Sequence, residues 1–356
     1  MHATTVGVDL AKNVFELAIS EGPGRPLRRE RLSRARFARF FANFPPCLIV
    51  MEACGSAHHW GRRLQALGHE VRLLHARYVR AYVRRNKTDA ADAAALIEAV
   101  RNPELRAVPV KSVEQQQLLQ LHRLREQLKR TRTSRINLLR GQLREFGLVV
   151  PQGRVRGLAA IRAALEDADN GLPDALRPWI AQTLEEIGDL GARMKQLEAT
   201  LARAVSAQPA IEALTQIDGI GPLSATATWA TVGDVQRFPS GRHFASFIGL
   251  TSREDSSAER RRLGRISKRG DTYLRTNYVH GARAVLNAAS AHRRAGHPLS
   301  ALAAWALQVE ARRGRHKATV ALANKLARIV WATWRYGRRY DGNWARRPAT
   351  ATAVAA

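Results

Sequence analysis

The stretch TTVGVDL at residues 4–10 and the run CLIVM at residues 47–51 decide the fold of the first part of this chain. The first stretch predicts a strand, and the polar pair Lys12–Asn13 separates it from a second apolar stretch, Val14 to Ile19, which predicts a hairpin. The second is a short, continuous apolar run, which is typical of a strand buried on both faces. We therefore expect both stretches in one sheet.

Helical segments alternate with these strands. Residues 33–43 and 58–67 have helical patterns, and Gly68 ends the second. Glu70 to Leu74 predicts another strand, and the alanine-rich stretch 87–101 predicts another helix. Strands alternating with helices indicate an α/β layer architecture. We assign residues 1–110 to this domain.

From about residue 111 the pattern becomes helical. A basic stretch without apolar residues, 129–135, interrupts one leucine stripe, and a second stripe has heptad spacing at Ile187, Leu190, Met194, Leu197 and Leu201. Two such helices predict an antiparallel coiled-coil hairpin or an intermolecular coiled coil, although core helices of an ordinary bundle explain the stripes equally well. The basic interruption favours an exposed arm, residues 111–207, that faces nucleic acid. A mostly helical domain, 208–345, follows and ends in an amphipathic helix, Val320 to Trp334, before a disordered tail, 346–356.

The charge balance points to a polyanionic partner, because 58 Lys and Arg oppose 30 Asp and Glu for a net charge of +28. A membrane surface is the rival partner, but the apolar runs are too short to span a bilayer. Two cysteines form neither a disulfide framework nor a zinc pattern, so we expect a cytoplasmic protein. The basic residues cluster in three places, and the clusters are Lys129, Arg130, Arg132 and Arg135; Arg260, Arg261, Arg262, Arg265, Lys268, Arg269 and Arg275; and Arg312, Arg313, Arg315, His316 and Lys317.

A short glycine motif, Ile217-Asp218-Gly219-Ile220-Gly221-Pro222, lies between two helical stretches. In helix-hairpin-helix DNA binders, such glycines let backbone amides approach a phosphate closely. The motif is short and occurs often by chance. It nevertheless makes Gly219 and Gly221 candidate nucleic-acid contacts.

Four acids stand out by position. Asp9 ends the first strand, Glu52 follows the buried run, and Asp89 and Asp92 are three residues apart, so that a helix presents both on one face. Each acid alone is more simply a helix cap or a salt-bridge partner. Together they predict one cluster whose charge requires cations, and a set of oxygen ligands favours Mg²⁺ or Mn²⁺ over zinc. This order of strand and helix acids is the pattern of RNase H-like (RuvC-like) nucleases.

The chain resembles the insertion sequence 110 transposases, particularly their 1111 subgroup, over nearly its whole length. The motifs that carry the resemblance are GVDLAK (7–12), MEACG (51–55), NKTDAADA (86–93), IDGIGPLSA (217–225), FASFIGLTSREDSSAERRRLGRISKRGDTYLR (244–275) and GRHKATVALANKLARIVW (314–331). The resemblance implies a RuvC-like domain, a coiled coil and a C-terminal transposase domain. It also implies that Asp9, Glu52, Asp89 and Asp92 bind metal.

The resemblance further implies a reactive serine that forms a covalent phosphoserine link to DNA. Its usual setting is G-L-x-P-x-x-x-S-S-G, in which the second serine reacts. Here Ser257 matches that serine and Ser256 is a close rival, while Ser252 replaces the proline and Ala258 replaces the glycine. Loss of that glycine removes a turn with positive φ, which puts the loop geometry in question.

The sequence thus predicts a recombinase that cuts and rejoins donor and target DNA. The resemblance implies a noncoding guide RNA from the same element, and cutting four strands implies a homo-oligomer, a dimer or a tetramer. Two other functions stay open: a RuvC-type structure-specific endonuclease that does not use the serine, and a nucleic-acid-binding module whose acids are structural. A divalent-metal requirement separates both enzymes from the module, and a phosphoserine adduct separates the recombinase from the endonuclease.

Overall fold

The computed structural model describes residues 4–23, 27–83, 88–257 and 260–342. The predicted disordered tail, 346–356, lies outside these residues, and so do Asn86, Lys87, Ala258 and Glu259 of the motifs quoted above. The chain divides into two compact units, residues 1–116 and 117–356. In the part of the chain that is described, no helix combines the length and apolar composition needed to cross a membrane.

The first unit is built on a five-stranded mixed sheet with the strand order β3-β2-β1-β4-β5. The strands are β1 (Thr5–Leu10), β2 (Val14–Ser20), β3 (Arg28–Ser33), β4 (Leu48–Glu52) and β5 (Glu70–Leu74). Strand β1 pairs antiparallel with β2 and parallel with β4, which pairs parallel with β5. The predicted hairpin, the buried strand and the α/β architecture are confirmed.

Strand β3 was not predicted, because its sequence RRERLS is almost entirely charged or polar. It lies at the edge of the sheet, where charged side chains prevent pairing with other chains, and only Leu32 is buried. One buried residue in six gives no alternating pattern that sequence inspection detects.

Helices cover both faces of this sheet. They are α1 (Arg34–Ala42), α2 (Ala57–Ala66), α3 (Ala76–Val79) and α4 (Asp89–Val100). On one face, Val8 and Met51 pack with Phe37 of α1 and Trp60 of α2, whose ring centroids are 4.8 Å apart. On the other face, Val50 packs with residues of α4. Strands β1 and β4 are therefore buried on both sides, as the continuous apolar run predicted.

Where the second unit is described, up to residue 342 and without residues 258–259, it is helical apart from one two-stranded hairpin, β6 (Ser252–Glu254) and β7 (Leu263–Ile266). The helices from this part of the chain are α5 (Val113–Glu145), α6 (Arg154–Glu166), α7 (Arg177–Ser206), α8 (Pro209–Thr215), α9 (Pro222–Val232), α10 (Gly241–Ile248), α11 (Thr272–Arg294), α12 (Ala301–Arg313) and α13 (Arg315–Tyr336). Helix α13 contains the predicted amphipathic helix, which buries apolar residues against α10, α11 and α12.

The two long helices, α5 and α7, run antiparallel. Arg125 forms an ion pair with Glu198 at 2.6 Å, and Arg135 forms one with Glu186 at 3.0 Å, so positions later in α5 meet positions earlier in α7. The heptad stripe of α7 is buried at Ile187, Met194 and Leu201. The two helices therefore pack against each other within one chain, while their assignment as a coiled coil stays a prediction.

A buried histidine of α5 forms hydrogen bonds with two of the C-terminal helices. His122 is 3% exposed, and its ring nitrogens lie 3.0 Å from the Tyr273 hydroxyl of α11 and 3.0 Å from the Thr226 hydroxyl of α9. Burial, with a smaller contribution from Arg125, lowers the pKa of His122 to about 4. A neutral imidazole offers one donor and one acceptor, so it satisfies both hydroxyl contacts without a buried charge.

Candidate active site

Asp9 and Glu52 lie at the same edge of the sheet, at the carboxyl ends of neighbouring parallel strands. The last paired positions of β1 and β4 are Val8 and Met51, and each acid follows its strand's paired position by one residue. Successive residues of a strand alternate between faces. Because Val8 and Met51 point towards α1 and α2, both acids project from the opposite face, the one that α4 covers. Neighbouring strands are ~4.8 Å apart, so the two backbones lie within reach of one cation.

Helix α4 runs antiparallel to β1, and its direction brings its first turn to this edge. At its C-terminal end, Arg101 donates from Nη2 to the Ser20 hydroxyl at 3.2 Å, and Ser20 pairs with Thr5, the first residue of β1. At its middle, Ala93 lies directly on Gly7, where an added Cβ would overlap the Ala93 carbonyl oxygen. The N-terminus of α4 therefore extends towards the carboxyl end of β1.

Asp89 and Asp92 occupy that first turn. The capping function belongs to Thr88, whose hydroxyl accepts a hydrogen bond from the Ala91 amide at 3.2 Å. The two acids are therefore not needed as the helix cap, which was the simpler explanation of their position. Asp89 is exposed and Asp92 is half-buried. The fold thus directs all four predicted acids to one edge of the first unit.

The side chains of these acids do not form a complete ligand set. Among the described residues, no group of three or more His, Cys, Asp or Glu side chains is arranged to hold a metal ion. What fits a hard divalent cation is the backbone placement and the donor chemistry, since every candidate ligand is a carboxylate. One shared site for Asp9, Glu52, Asp89 and Asp92 stays a prediction.

The two candidate serines lie in the second unit, in the connection between β6 and β7. Ser256 is bound on both sides: its hydroxyl donates to Glu254 Oε1 at 3.0 Å and accepts from the Arg262 amide at 3.0 Å. The hydrogen bond from Ser256 and the neighbouring Arg261 guanidinium hold the pKa of Glu254 below its usual value. Ser257 is exposed and pairs with Arg260 through its backbone.

Two glycines fix the base of this hairpin. Gly249 has a φ of +78°, and an added Cβ would overlap the Arg269 carbonyl oxygen. Gly270 has a φ of +87°, and an added Cβ there would overlap the Phe247 carbonyl oxygen. Only glycine allows both the positive φ and the close approach. The strand pair is therefore anchored rigidly where it leaves α10 and where it enters α11.

The predicted basic cluster surrounds the same hairpin and is exposed throughout. Its members are Arg260, Arg261, Arg262, Arg265, Lys268 and Arg269. Within the described residues, Arg261 is the member that forms an ion pair, with Glu254 at 3.0 Å. Arg275, which the sequence grouped with them, instead donates to the Ile248 carbonyl at 3.1 Å and supports the hairpin base. The others leave their charge facing solvent, where a phosphate backbone can approach.

Four of the other predicted nucleic-acid contacts, Lys129, Arg130, Arg135 and Gly219, have partners within the chain. In the arm, Lys129 and Arg130 lie 3.1 Å and 3.7 Å from Glu126, and Arg135 pairs with Glu186. In the glycine motif, Gly219 packs against Gly281 of α11, with a φ of +84°. Close helix packing thus accounts for Gly219. Gly221 has no atom near its would-be Cβ and stays a candidate.

Sequence reasoning missed two arginines of the arm, Arg140 and Arg154. Both line a cavity together with the predicted Arg132. They lie 14 residues apart in the chain and on different helices, so no local charge run connects them. A sequence signal for this grouping is absent.

Comparisons with known proteins agree with this arrangement. A transposase model of the DEDD type, built on the IS110 family, matches residues 6–147, and the model described as the transposase IS116/IS110/IS902 family matches residues 211–297. The chain is 42% identical to a probable family 20 transposase of Pseudomonas aeruginosa, over 93% of this chain and 97% of the relative. It is 35% identical to the transposase for insertion sequence element IS1111A of Coxiella burnetii, over 92% of this chain and 88% of the relative.

A third relative, the transposase for insertion sequence element IS1328 of Yersinia enterocolitica, is 34% identical over 94% of this chain and 98% of its own length. The first unit is thus an RNase H-like DEDD domain, and a divalent metal is the general requirement of such a nuclease domain. From the sheet, the family matches and these relatives, the chain belongs to the IS110 family of insertion-sequence transposases and is a DNA-cleaving enzyme.

Proposed function

We propose that this transposase joins two chemistries: a carboxylate-bound divalent metal, and a serine that links covalently to DNA. The observation that carries the proposal is the convergence of strand and helix acids on one edge of the first unit. The four acids are Asp9, Glu52, Asp89 and Asp92. Their placement on one face supports a shared function better than four separate structural roles.

The metal is Mg²⁺ or Mn²⁺, and the four carboxylates hold it. When bound, such an ion polarises a phosphodiester and stabilises charge on the attacking and leaving oxygens. The carboxylates themselves orient the ion with respect to the sheet edge.

Ser257 is the nucleophile. Its hydroxyl oxygen forms a bond to the scissile phosphorus and releases its proton to water, while the bond from phosphorus to the leaving sugar oxygen breaks and that oxygen takes up a proton. One phosphodiester replaces another, so a later attack by a DNA hydroxyl on the phosphoserine reverses the exchange and rejoins strands. The exposed Arg260, Arg262 and Arg265 stabilise the phosphate charge during this exchange.

The hydrogen bonds of the hairpin favour Ser257 over Ser256. The Ser256 hydroxyl already donates to Glu254 and accepts from Arg262, and attack on phosphorus would break this arrangement. The Ser257 hydroxyl has no hydrogen-bond partner in the described residues. A free, exposed hydroxyl reaches a DNA phosphate without a rearrangement of the hairpin.

The enzyme further belongs to the 1111 subgroup, works as a homo-oligomer and uses a noncoding RNA of its own element to choose donor and target DNA. The relative named for element IS1111A supports the subgroup, and the net charge of +28 supports a partner richer in phosphate than DNA ends alone. Sequencing the DNA beside the gene and the RNA that copurifies with the protein tests the guide. Copurified RNA that matches no flanking segment contradicts it.

The test of the serine compares wild type, Ser256→Ala and Ser257→Ala. Each protein is mixed with a plasmid carrying the element ends, with transcripts of the flanking DNA and with Mg²⁺. It is then denatured, and protein–DNA adducts are mapped by mass spectrometry. We expect an adduct in wild type and Ser256→Ala but none in Ser257→Ala. The opposite pattern identifies Ser256 instead. Cleavage without an adduct in every protein identifies a RuvC-type endonuclease.

The test of the acids uses Asp9→Asn, Glu52→Gln, Asp89→Asn and Asp92→Asn. We expect each to abolish strand cleavage while DNA affinity is retained, because each removes a ligand and none removes a basic residue. Glu98→Gln is the matched control, since Glu98 lies on the same helix and pairs with Arg101 at the helix's other end. Cleavage that survives in any two of the four variants contradicts the shared site.

A further inference from the structure

The arm of the second unit contains a small cavity lined by arginines. It has a volume of about 250 Å³ and lies where α5 approaches the start of α6. Arg132 and Arg140 of α5 and Arg154 of α6 contribute to its wall, and none of the lining residues is acidic. Pockets that enclose a drug-sized molecule measure roughly 300–1,000 Å³. This one is therefore suited to a smaller group.

Two of these arginines, Arg132 and Arg154, are not neutralised by an ion pair with any residue in the described part of the chain. Neither Arg132 nor Arg154 forms an ion pair or a side-chain hydrogen bond among the described residues. The pKa of Arg132 is lowered, first by burial and then by repulsion from Arg154 and Arg125, against a weaker opposing effect of Glu198. Two mutually repelling guanidinium groups at one cavity are stabilised when an anion enters between them.

The third arginine forms a rigid wall. Arg140 donates from Nη2 to the Pro151 carbonyl at 3.1 Å and to the Gly153 carbonyl at 3.0 Å, and from Nη1 to Asn137 Oδ1 at 3.2 Å. Neutral acceptors hold it, so its positive charge is retained at the cavity. A positioned donor group loses little conformational entropy when a ligand binds.

The basic stretch beside this cavity is different. Lys129 and Arg130 share Glu126, and Arg135 pairs with Glu186. Their charges are partly compensated within the chain, whereas the cavity arginines present uncompensated charge in a concave site. The structure thus distinguishes Lys129, Arg130 and Arg135, whose charges are partly compensated, from the charged cavity. The sequence alone did not separate these two groups of basic residues.

We propose that the cavity formed by Arg132, Arg140 and Arg154 binds one backbone phosphate of the nucleic acid on which the enzyme acts. Guanidinium groups match the geometry of phosphate oxygens, and a cavity of about 250 Å³ has room for a phosphate group. Free phosphate has the same chemistry and is the alternative source. The proposal rests on the nucleic-acid substrate of the proposed function, and it adds the site at which the arm contacts that substrate.

The experiment uses the full chain and the pair Arg132→Gln with Arg154→Gln, leaving Arg140 in place because it supports the Pro151–Gly153 turn. The matched control is Arg123→Gln with Arg156→Gln, which removes one exposed arginine from each of the same two helices, α5 and α6, outside the cavity. Affinities for a mixed-sequence single-stranded RNA and for a mixed-sequence DNA duplex are measured between 50 mM and 200 mM salt. Thermal unfolding is measured with and without inorganic phosphate.

We expect the cavity variant to lose roughly tenfold or more in affinity for the DNA duplex at low salt, and a loss confined to the RNA contradicts a contact with the nucleic acid on which the enzyme acts. The slope of log affinity against log salt should fall by about 0.7–0.9, the contribution of one phosphate. The control should keep the slope of wild type. Equal slopes in wild type and the cavity variant overturn the proposal, and so do equal losses in the cavity variant and the control.

Thermal unfolding with inorganic phosphate distinguishes a site for a backbone phosphate from a site for free phosphate. Stabilisation of wild type by free phosphate, lost in the cavity variant without a change in nucleic-acid affinity, identifies a free-anion site and overturns the proposal. Because these measurements need no strand cleavage, they remain decisive if Ser257 or the four acids prove not to be catalytic. Failure of the proposed chemistry is thus distinguishable from failure of the cavity.

Discussion

Replacing Gly7 with alanine should shift α4 away from the sheet and disable the candidate metal site without touching any acid. The added Cβ would overlap the Ala93 carbonyl oxygen and lie 3.2 Å from the Ala93 carbonyl carbon and 3.1 Å from Ile97 Cγ1. The first two atoms are helix backbone, which side-chain rotation cannot relieve. The helix must retreat by roughly 1 Å, since close-packed interiors hold no space to absorb the methyl group.

The cost of such overpacking is about 1–3 kcal/mol. For a unit of this size, 1 kcal/mol lowers the melting temperature by about 4 °C, so the first unit should melt roughly 4–12 °C lower. Activity should fall further than stability. Asp89 and Asp92 lie on the displaced helix while Asp9 and Glu52 stay on the strands, and a misplacement of about 1 Å can cost on the order of 100-fold in rate.

The assay pairs thermal unfolding with metal-dependent cleavage of a plasmid that carries the element ends. Gly141→Ala is the control, because Gly141 lies within α5 and a Cβ there meets no atom within 4 Å. In a helix interior this exchange stabilises by roughly 0.5–1 kcal/mol. A Gly7→Ala protein with the melting temperature and cleavage rate of wild type would falsify the placement of α4 on β1.

Two further variants test the second unit. The pKa of His122 is lowered to about 4, against 6.5 in the unfolded chain, so between these pH values the unfolded state binds a proton that the folded state does not. The free energy of unfolding should therefore fall by on the order of 3 kcal/mol as the pH drops from 6.5 towards 4. In denaturant titrations, His122→Gln should flatten this pH dependence, and an equally steep dependence in the variant excludes His122 as its source. Gly249→Ala should abolish the protein–DNA adduct, because the added Cβ forces the Arg269 backbone out of place. The control Gly296→Ala, at a similar φ of +71° but in open space, should lower stability only and retain the adduct. Adduct formation by Gly249→Ala at the wild-type level contradicts the anchored hairpin.

Local patterns were sufficient for four of the five strands, whereas the joint role of the four acids stays a prediction. A continuous apolar run such as residues 47–51 has few stable environments other than a doubly covered strand, and acids at the carboxyl ends of neighbouring parallel strands lie at one sheet edge. The charged edge strand β3 was missed for the converse reason. Leu32 is the one buried residue of β3, and the strand forms because its backbone pairs with that of β2.

The sequence by itself determined the family, the polyanionic substrate class and the positions of Asp9, Glu52, Asp89 and Asp92, because each of these depends on residue type and short spacing. Tertiary structure alone decided that α4 runs antiparallel to β1, and that Glu254 binds Ser256 and leaves Ser257 unengaged. It also decided that Arg132 faces Arg140 and Arg154 across a cavity. The physical reason is that periodicity reports which face of an element is buried. Which charge meets which partner depends on contacts between residues far apart in the chain, and those exist only once the helices have packed.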